Sequence, residues 1–220
     1  MVGVFLKFLF LAFSALLPVV NPIGSAVIFL EFAAGADHQT RKIVARKIAI
    51  NSVFYLLVIQ FAGTHVLSFF GITLPIVQVA GGFVLAMMGW AFLNQVKTGD
   101  GSASENCETG AQLISKAFYP LTFPITVGPG CMVIMLTLSA HDEYPLVLQS
   151  IAAETGLVAG VLLMCLVVYF CYLYSDRLLA KVSQSAAEGI LKIISFILLC
   201  IGVQIMWHGI QSLVPALRSS

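Results

Sequence analysis

The stretch Ala15-Leu-Leu-Pro-Val-Val-Asn-Pro-Ile-Gly-Ser25 interrupts one apolar run, and Tyr119-Pro-Leu-Thr-Phe-Pro-Ile-Thr-Val-Gly-Pro-Gly130 interrupts another. The first leads straight into apolar residues 26–30, the second into 131–138. Proline has no backbone N–H and clashes with the preceding turn, so each cluster breaks the helix its neighbours favour. Lipid cannot satisfy the main-chain groups that a break frees, so it must be buried in protein or line a wet cavity. Matching breaks near the start of two halves of a membrane chain point to a transporter's substrate site.

Composition sets the same class. The chain is 60% hydrophobic and only 10% charged, with a mean hydropathy of +1.00. A soluble domain carries about 25% charged residues. Crossing the hydrocarbon takes ~20 apolar residues, and about six stretches qualify: 5–32, 48–70, 73–93, 118–140, 146–174 and 189–213. The rest is short connections, with no room for a soluble domain and no basic face for nucleic acid. The first span is too long for a signal-peptide core and is expected to be retained. Four of five cysteines (Cys131, Cys165, Cys171, Cys200) fall inside spans and read as small buried hydrophobes, while Cys107 lies in a polar loop. Neither a metal-ligand spacing nor a cofactor motif is present, so no metal and no cofactor is expected.

Six spans make the connections alternate between two sides. One side receives Arg41, Lys42, Arg46, Lys47, Lys97, Lys116, Arg177, Lys181 and Lys192; the other receives Lys7 and Arg218. The positive-inside rule places the basic side in the cytoplasm and both termini outside. The polar run 94–115, with Thr98-Gly-Asp-Gly-Ser-Ala-Ser104, has the composition of a flexible linker. The expected organisation is residues 1–94 as a first three-helix repeat, 95–117 as a cytoplasmic linker and 118–220 as a second repeat. Three spans per half make the copies enter the membrane from opposite sides. Beside the paired breaks, Val79–Gly89 compares with Ile193–Gly202, both third spans with a late glycine. A true repeat puts a pseudo-two-fold axis in the membrane plane and brings the breaks together near its middle.

Four runs, in order, resemble the MarC family, also called the neutral amino-acid transporter family. They are Leu-Pro-x-x-Asn-Pro-Ile-Gly (17–24), Pro-Leu-x-x-Pro-x-x-x-Gly-Pro-Gly (120–130), Ala80-Gly-Gly82 and Cys200-Ile-Gly-Val-Gln204. The resemblance covers essentially the whole chain. It implies an all-α integral membrane fold of six transmembrane helices in two inverted 3+3 repeats, the first and fourth discontinuous. It also implies the bacterial or archaeal cytoplasmic (inner) membrane and an association with small neutral amino acids. Two positions depart from the family pattern: Gln78 stands where a basic residue is usual before Ala-Gly-Gly, its sixth-span counterpart remaining basic as Lys192, and Ser195 stands where glycine is common.

The chemistry of a doubly broken site follows from helix ends. An N-terminus presents unpaired N–H groups and roughly +0.5 of charge, a C-terminus carbonyls and roughly −0.5. The half-helices starting near Gly24-Ser25 and near Gly130 can hold a carboxylate. Carbonyls freed before Pro22, Pro124 and Pro129 can receive an ammonium or a cation. A zwitterion offers one charge to each kind of end, so the site suits a small neutral amino acid. Asn21 is the first candidate ligand, its amide able to donate or accept, with capping of the second half-helix as the purely structural role. Ser25, Thr122 and Thr126 are polar liners that can equally bond back to their own backbone. Gly24, Gly128 and Gly130 permit turns and close ligand approach. Glu154, an intramembrane carboxylate, is the candidate for proton or ion coupling. Gln60, His65 and Gln204 are further polar candidates, Gln204 by the family motif and His65 toward the outer end. Gly156 and Gly160 form a packing G-x-x-x-G.

The expected function is secondary transport of small neutral amino acids by alternating access, coupled to H+ or Na+, with lipid as the other partner and a homo-oligomer compatible. An inorganic-ion transporter or channel of similar 3+3 architecture is the alternative. Its divalent form needs carboxylates, His or Cys at the breaks, where only Cys131 is close. No phosphate-binding loop, rhomboid-type Gly-x-Ser-x-Gly or His-Glu-x-x-His run appears, so an enzyme is not expected.

Overall fold

The computed structural model describes residues 1–33, 35–94, 110–139, 147–176 and 184–218. Their secondary structure is helical, with no strand among them. α1 (Val2–Val20) and α2 (Pro22–Phe32) form the first span, which runs as one apolar stretch over Val2–Leu30. α3 (His38–Phe69) and α4 (Leu74–Asn94) are the second and third. After a short α5 (Gly110–Ser115), a segment of wide turns (Ala117–Thr126) meets α6 (Pro129–Ser139) at 63° to make the fourth. α7 (Val147–Leu173) and α8 (Gln184–Arg218) complete the set. Among the described residues five helices are long and apolar enough to cross a membrane, or up to 6 spans with the bent pair counted as one. The protein is an integral, multi-pass membrane protein, and its outward faces bear it out: Phe54, Phe61, Phe83, Trp90, Phe196 and Trp207 are all exposed. In water such a surface would aggregate; against acyl chains it is the expected coat.

Both discontinuities fall where the prolines predict. Asn21 adopts a left-handed conformation (φ 42, ψ 66), which asparagine tolerates better than most residues. Pro22 then opens α2 at a first-turn position where its missing N–H costs nothing. In the fourth span Tyr119 and Phe123 are extended, each preceding a proline across a cis peptide. The extended shape is what a following proline imposes.

The expected flexible linker is corrected in its last part. Residues 95–109 lie outside the described residues, as do 141–143, Arg177 and Lys181, but Gly110–Ser115 is a helix. It forms because Leu113 is fully buried, with α5 seated against α3 and the wide-turn segment. α3 is longer than a bilayer needs, and its basic first turns start from Asp37, whose carboxylate accepts from the Gln39 N–H at 3.2 Å. The Thr40 hydroxyl is the main group holding the Asp37 carboxyl below the ordinary carboxylate value.

The helices pack chiefly across the two halves. α4 lies along α8, α7 along α1 and α3, and α6 against α3, α4 and α1. Small residues set these approaches. A Cβ on Gly82 would lie 2.6 Å from the Gly202 carbonyl, one on Gly89 2.9 Å from that of Ser195, and one on Gly209 2.7 Å from that of Pro75. The pair Gly156 and Gly160 does the same for α7, facing the carbonyls of Phe5 and Leu9 on α1. That is the close packing expected of G-x-x-x-G.

Candidate functional site

At the first break the Asn21 side chain folds over α2, Oδ1 accepting from the Gly24 N–H at 3.2 Å. It lies so near that a Cβ on Gly24 would be 2.4 Å from Asn21 Nδ2. Nδ2 itself makes no hydrogen bond among the described residues, so Asn21 caps with its oxygen and keeps its donor free. Pro22, buried, has no N–H to return to the Pro18 carbonyl one turn back. Ser25, also buried, donates back to the Asn21 carbonyl at 2.8 Å and the Val20 carbonyl at 3.2 Å. Its hydroxyl proton is therefore spent on the break itself, the local role that serine takes in membrane helices.

The second break repeats this chemistry twice in tandem. Tyr119-Pro-Leu-Thr122 and Phe123-Pro-Ile-Thr126 are successive aromatic-Pro-aliphatic-Thr units. In each unit the buried threonine donates to a carbonyl five residues back: Thr122 to Ala117 and Thr126 to Leu121, both at 2.6 Å. The threonines thus supply donors where the prolines have none. Val127 N–H reaches the Thr122 carbonyl at 2.9 Å, and Cys131 N–H the Gly128 carbonyl at 3.0 Å. Among the described residues the Gly128 N–H has no acceptor, although Gly128 is buried. An unused N–H beside the first turn of α6, the positive end of that helix, is a donor suited to an anionic or carbonyl oxygen. Gly130 lies against Val19 and Leu85, which brings the start of α6 to the end of α1.

Tyr172 ties the two breaks together. This fully buried residue of α7 stacks on Phe29 of α2, centroids 4.8 Å apart and planes 12° from parallel. Because Thr126 gives its proton to Leu121, the Tyr172 hydroxyl donates to Thr126 Oγ1, at 2.7 Å. One side chain thus touches both broken spans, through its ring at Phe29 and its hydroxyl at Thr126. Sequence reasoning missed Tyr172, Phe29, Ser52 and Tyr55, since a lone aromatic or serine in an apolar helix gives no signal. Tyr55 of α3 packs on Phe123 with centroids 5.7 Å apart, and neither its hydroxyl nor that of the fully buried Ser52 has a partner. The tandem unit of 119–126 was the one available pointer to the threonine bonds.

Not every candidate joins this group. Pro124 and Pro129 are exposed. Gln204 is exposed on α8 and pairs with His208 Nε2 at 3.2 Å rather than with either break. Lys192 donates to the Leu93 carbonyl, closing the last turn of α4. Glu154 is half-buried on α7 and meets Gln60 of α3, whose Nε2 donates to Glu154 Oε2 at 2.7 Å. Among the described residues no three His, Cys, Asp or Glu side chains gather as a metal site would require. A cavity of about 350 Å³ opens away from the breaks, at the α3–α4 turn, between Thr64, Ser68 and Leu74.

The chain is similar to proteins from both archaea and bacteria. A "UPF0056 membrane protein" of Methanocaldococcus jannaschii is 27% identical over 213 residues, covering 94% of this chain and 97% of the relative. The "UPF0056 inner membrane protein MarC" of Salmonella typhimurium is 25% identical over 207 residues, and that of Escherichia coli O139:H28 28% over the same length, each covering 90% of this chain and 92% of the relative. No solved structure matches. The pattern described as "MarC family integral membrane protein" matches residues 6–214, through both breaks and all the helices named above, and the chain belongs to the MarC family.

Proposed function

We propose that the protein is a secondary transporter of small neutral amino acids, working by alternating access between its two broken spans. The observation that carries this reading is that each break keeps a donor unused among the described residues, Asn21 Nδ2 at the first and the Gly128 N–H at the second, while Gly130 against Val19 and Tyr172 between Phe29 and Thr126 bring the two broken spans together. Both donors suit a substrate carboxylate, and the Pro18 carbonyl, to which Pro22 returns no N–H, suits its ammonium. No charged side chain stands at either break, which favours a substrate with no net charge. Glu154 is the candidate for carrying the coupling ion, H+ or Na+.

The packing supports two inverted repeats. α2 and α6 are each eleven residues long and each opens on proline. Matching Pro75, Gly82 and Gly89 with Ser195, Gly202 and Gly209, a constant offset of 120, turns the 75–209 contact into the 89–195 contact. The 82–202 contact maps onto itself, as a pair on a two-fold axis must. Matching Gly89 with Gly202 also turns the 82–202 contact into the 89–195 contact, but it carries the 75–209 contact to positions 96 and 188, the first outside the described residues, so the offset of 120 is the one that closes all three. This register makes Ser195 the partner of Gly89, on an approach where only a small residue fits. The span order and the basic first turns of α3 support a cytoplasmic location for the end bearing Arg41 and both termini outside. The archaeal and bacterial relatives, two of them named inner membrane proteins, support the cytoplasmic membrane.

The test is flux and binding with purified protein. Stabilisation by glycine, alanine or serine, and their exchange across liposomes, is expected; Asn21→Gly keeps the left-handed backbone but removes Nδ2 and should weaken both. A response to divalent metals without amino acids would favour the inorganic-ion alternative. Unchanged amino-acid affinity in Asn21→Gly would remove Asn21 from the site.

A further inference from the structure

We propose that Gln60 and Glu154 form a proton-binding pair, so that the coupling ion is H+. This rests on the transport reading above and names the ion that drives it. Gln60 is only 4% exposed. Its Nε2 donates to Glu154 Oε2 at 2.7 Å and reaches the Glu154 main-chain carbonyl at 3.4 Å, while its Oε1 is buried with no partner. A buried amide oxygen with no donor is unfavourable. A carboxylate can only accept, so ionised Glu154 has nothing to offer that oxygen.

Protonation changes this. A carboxylic acid carries one O–H donor and one carbonyl acceptor, the complement of a primary amide. One proton from the aqueous phase bonds to a Glu154 carboxylate oxygen and donates to Gln60 Oε1. The Gln60 N–H donates to the other carboxyl oxygen, closing a ring of two hydrogen bonds. The group goes from one negative charge to none, and release of the proton restores it. The pair is thus bistable: charged with an orphaned amide oxygen, or neutral with every polar atom of the pair bonded. A hard metal cation instead gathers about six oxygens, while this pair brings together one carboxylate and one amide.

Position and surroundings fit a proton. Glu154 lies in the second turn of α7 and Gln60 nine residues before the end of α3, each some 10–14 Å along its helix from the same membrane side. The elements on α7 bring few charges. α1 brings Lys7, whose Nζ lies 5.8 Å from the Phe8 ring centre. α3 brings His65, exposed and more than a turn farther out, and carries Arg41, Lys42, Arg46 and Lys47 in its first turns at the opposite end. α2 has only Glu31, in its last turn at the opposite end, and α6 only Cys131. Among the described residues Glu154 has no ion-pair partner to hold it charged.

Infrared difference spectra of the nanodisc-embedded protein between alkaline and acid pH test the pair directly. A carboxylic-acid carbonyl band is expected that vanishes in Glu154→Gln and moves to higher frequency in Gln60→Met, which lacks the acceptor. Glu154→Gln leaves an amide–amide pair with the same two hydrogen bonds, so the fold is preserved. In liposomes it should keep alanine counterflow and lose accumulation driven by an imposed proton gradient. A band unchanged by Glu154→Gln, or wild-type accumulation in that variant, overturns the proposal while leaving transport intact. Absence of alanine flux in the wild type overturns the transport reading, and the infrared band still decides whether the pair binds a proton.

Discussion

Replacing Gly202 by alanine puts the packing of α4 on α8 to a quantitative test. The new Cβ would lie 2.3 Å from the Ala86 nitrogen and 2.7 Å from the Gly82 carbonyl oxygen, where ordinary contact begins at 3.4 Å. The shortfall, 3.4 less 2.3 or about 1.1 Å, is against main-chain atoms that no rotamer change can move. The helices must part along the interface, an overpacking cost of about 1–3 kcal/mol. Alanine returns about 0.8–1.0 kcal/mol of helix propensity, leaving a net loss near 1 kcal/mol. Gly189 in the same helix supplies the control, because a Cβ there meets nothing within 4 Å. Gly189→Ala therefore keeps the propensity gain alone, and the difference between the two variants isolates the steric cost. Thermal unfolding in detergent, followed with a dye that reacts with the buried Cys131 and Cys165 thiols as they become exposed, should place Gly202→Ala below wild type and Gly189→Ala above it. Equal midpoints for the two alanines would refute the register, and with it the strongest support for the inverted repeat.

Two further outcomes follow from particular bonds. Tyr172→Phe keeps the Phe29 stack but removes the hydroxyl from Thr126, a loss of about 0.5–1.5 kcal/mol; it should raise labelling of cysteines introduced near Ser25 by reagents from the Arg41 side, and unchanged labelling would mean that Tyr172 does not close that path. The Asp37 carboxyl, lowered chiefly by the Thr40 hydroxyl, contributes capping that is full above the unfolded value of 3.8 and is lost as pH falls through the lower folded value. Hydrogen exchange at Gln39 to Arg41 should therefore quicken in acid below about pH 3.8 in the wild type, beyond the intrinsic pH effect, and Asp37→Asn, which caps without titrating, should remove that excess.

The sequence reveals most where one residue acts alone. Proline gives a helix no N–H, and Pro22, Pro124 and Pro129 mark the discontinuities without knowledge of any neighbour, whereas Pro18 is carried inside α1. Asn21 before Pro22 announces its left-handed cap in the same way. What stays hidden depends on partners from other helices. Ser25 and Thr126 read equally as liners or as residues bonded back to their own backbone until the structure gives their protons to Val20, Asn21 and Leu121. Gln60 and Glu154, ninety-four residues apart, read as two stray polar groups until α3 and α7 are laid together. The repeat register stays hidden for the same reason: glycines in apolar helices align at several offsets, and it takes the three contacts 75–209, 82–202 and 89–195 together to favour one.

The hydrogen-bond pattern is lopsided along the membrane normal, and this bears on how such a molecule would work. At the end bearing Arg41, contacts come in layers: Arg41 bridges to Asp176, Lys116 lies over the Phe32 ring, and Tyr172 clasps Phe29 and Thr126. Among the described residues the buried polar groups with no partner are Ser52 Oγ and Tyr55 Oη near the middle of α3, and Gln60 Oε1, Thr137 Oγ1 and Ser139 Oγ toward the other end. Buried polar groups are ordinarily satisfied, so an end rich in orphans is the less settled of the two. On the transport reading the structure is latched on the Arg41 side, with proton uptake by Glu154 able to satisfy the orphaned oxygen of Gln60 at the other. If the halves are the inverted repeats proposed above, they add the means of reversal. The first break is held by a single residue, Asn21, and the second is bent by 63°. Exchanging those two conformations between the halves would leave the 82–202 contact on its axis while opening the Tyr172 clasp. The conserved element of such a motion is the α4–α8 pair, where backbone meets backbone with no side chain between, and the moving elements are the two broken spans it holds apart.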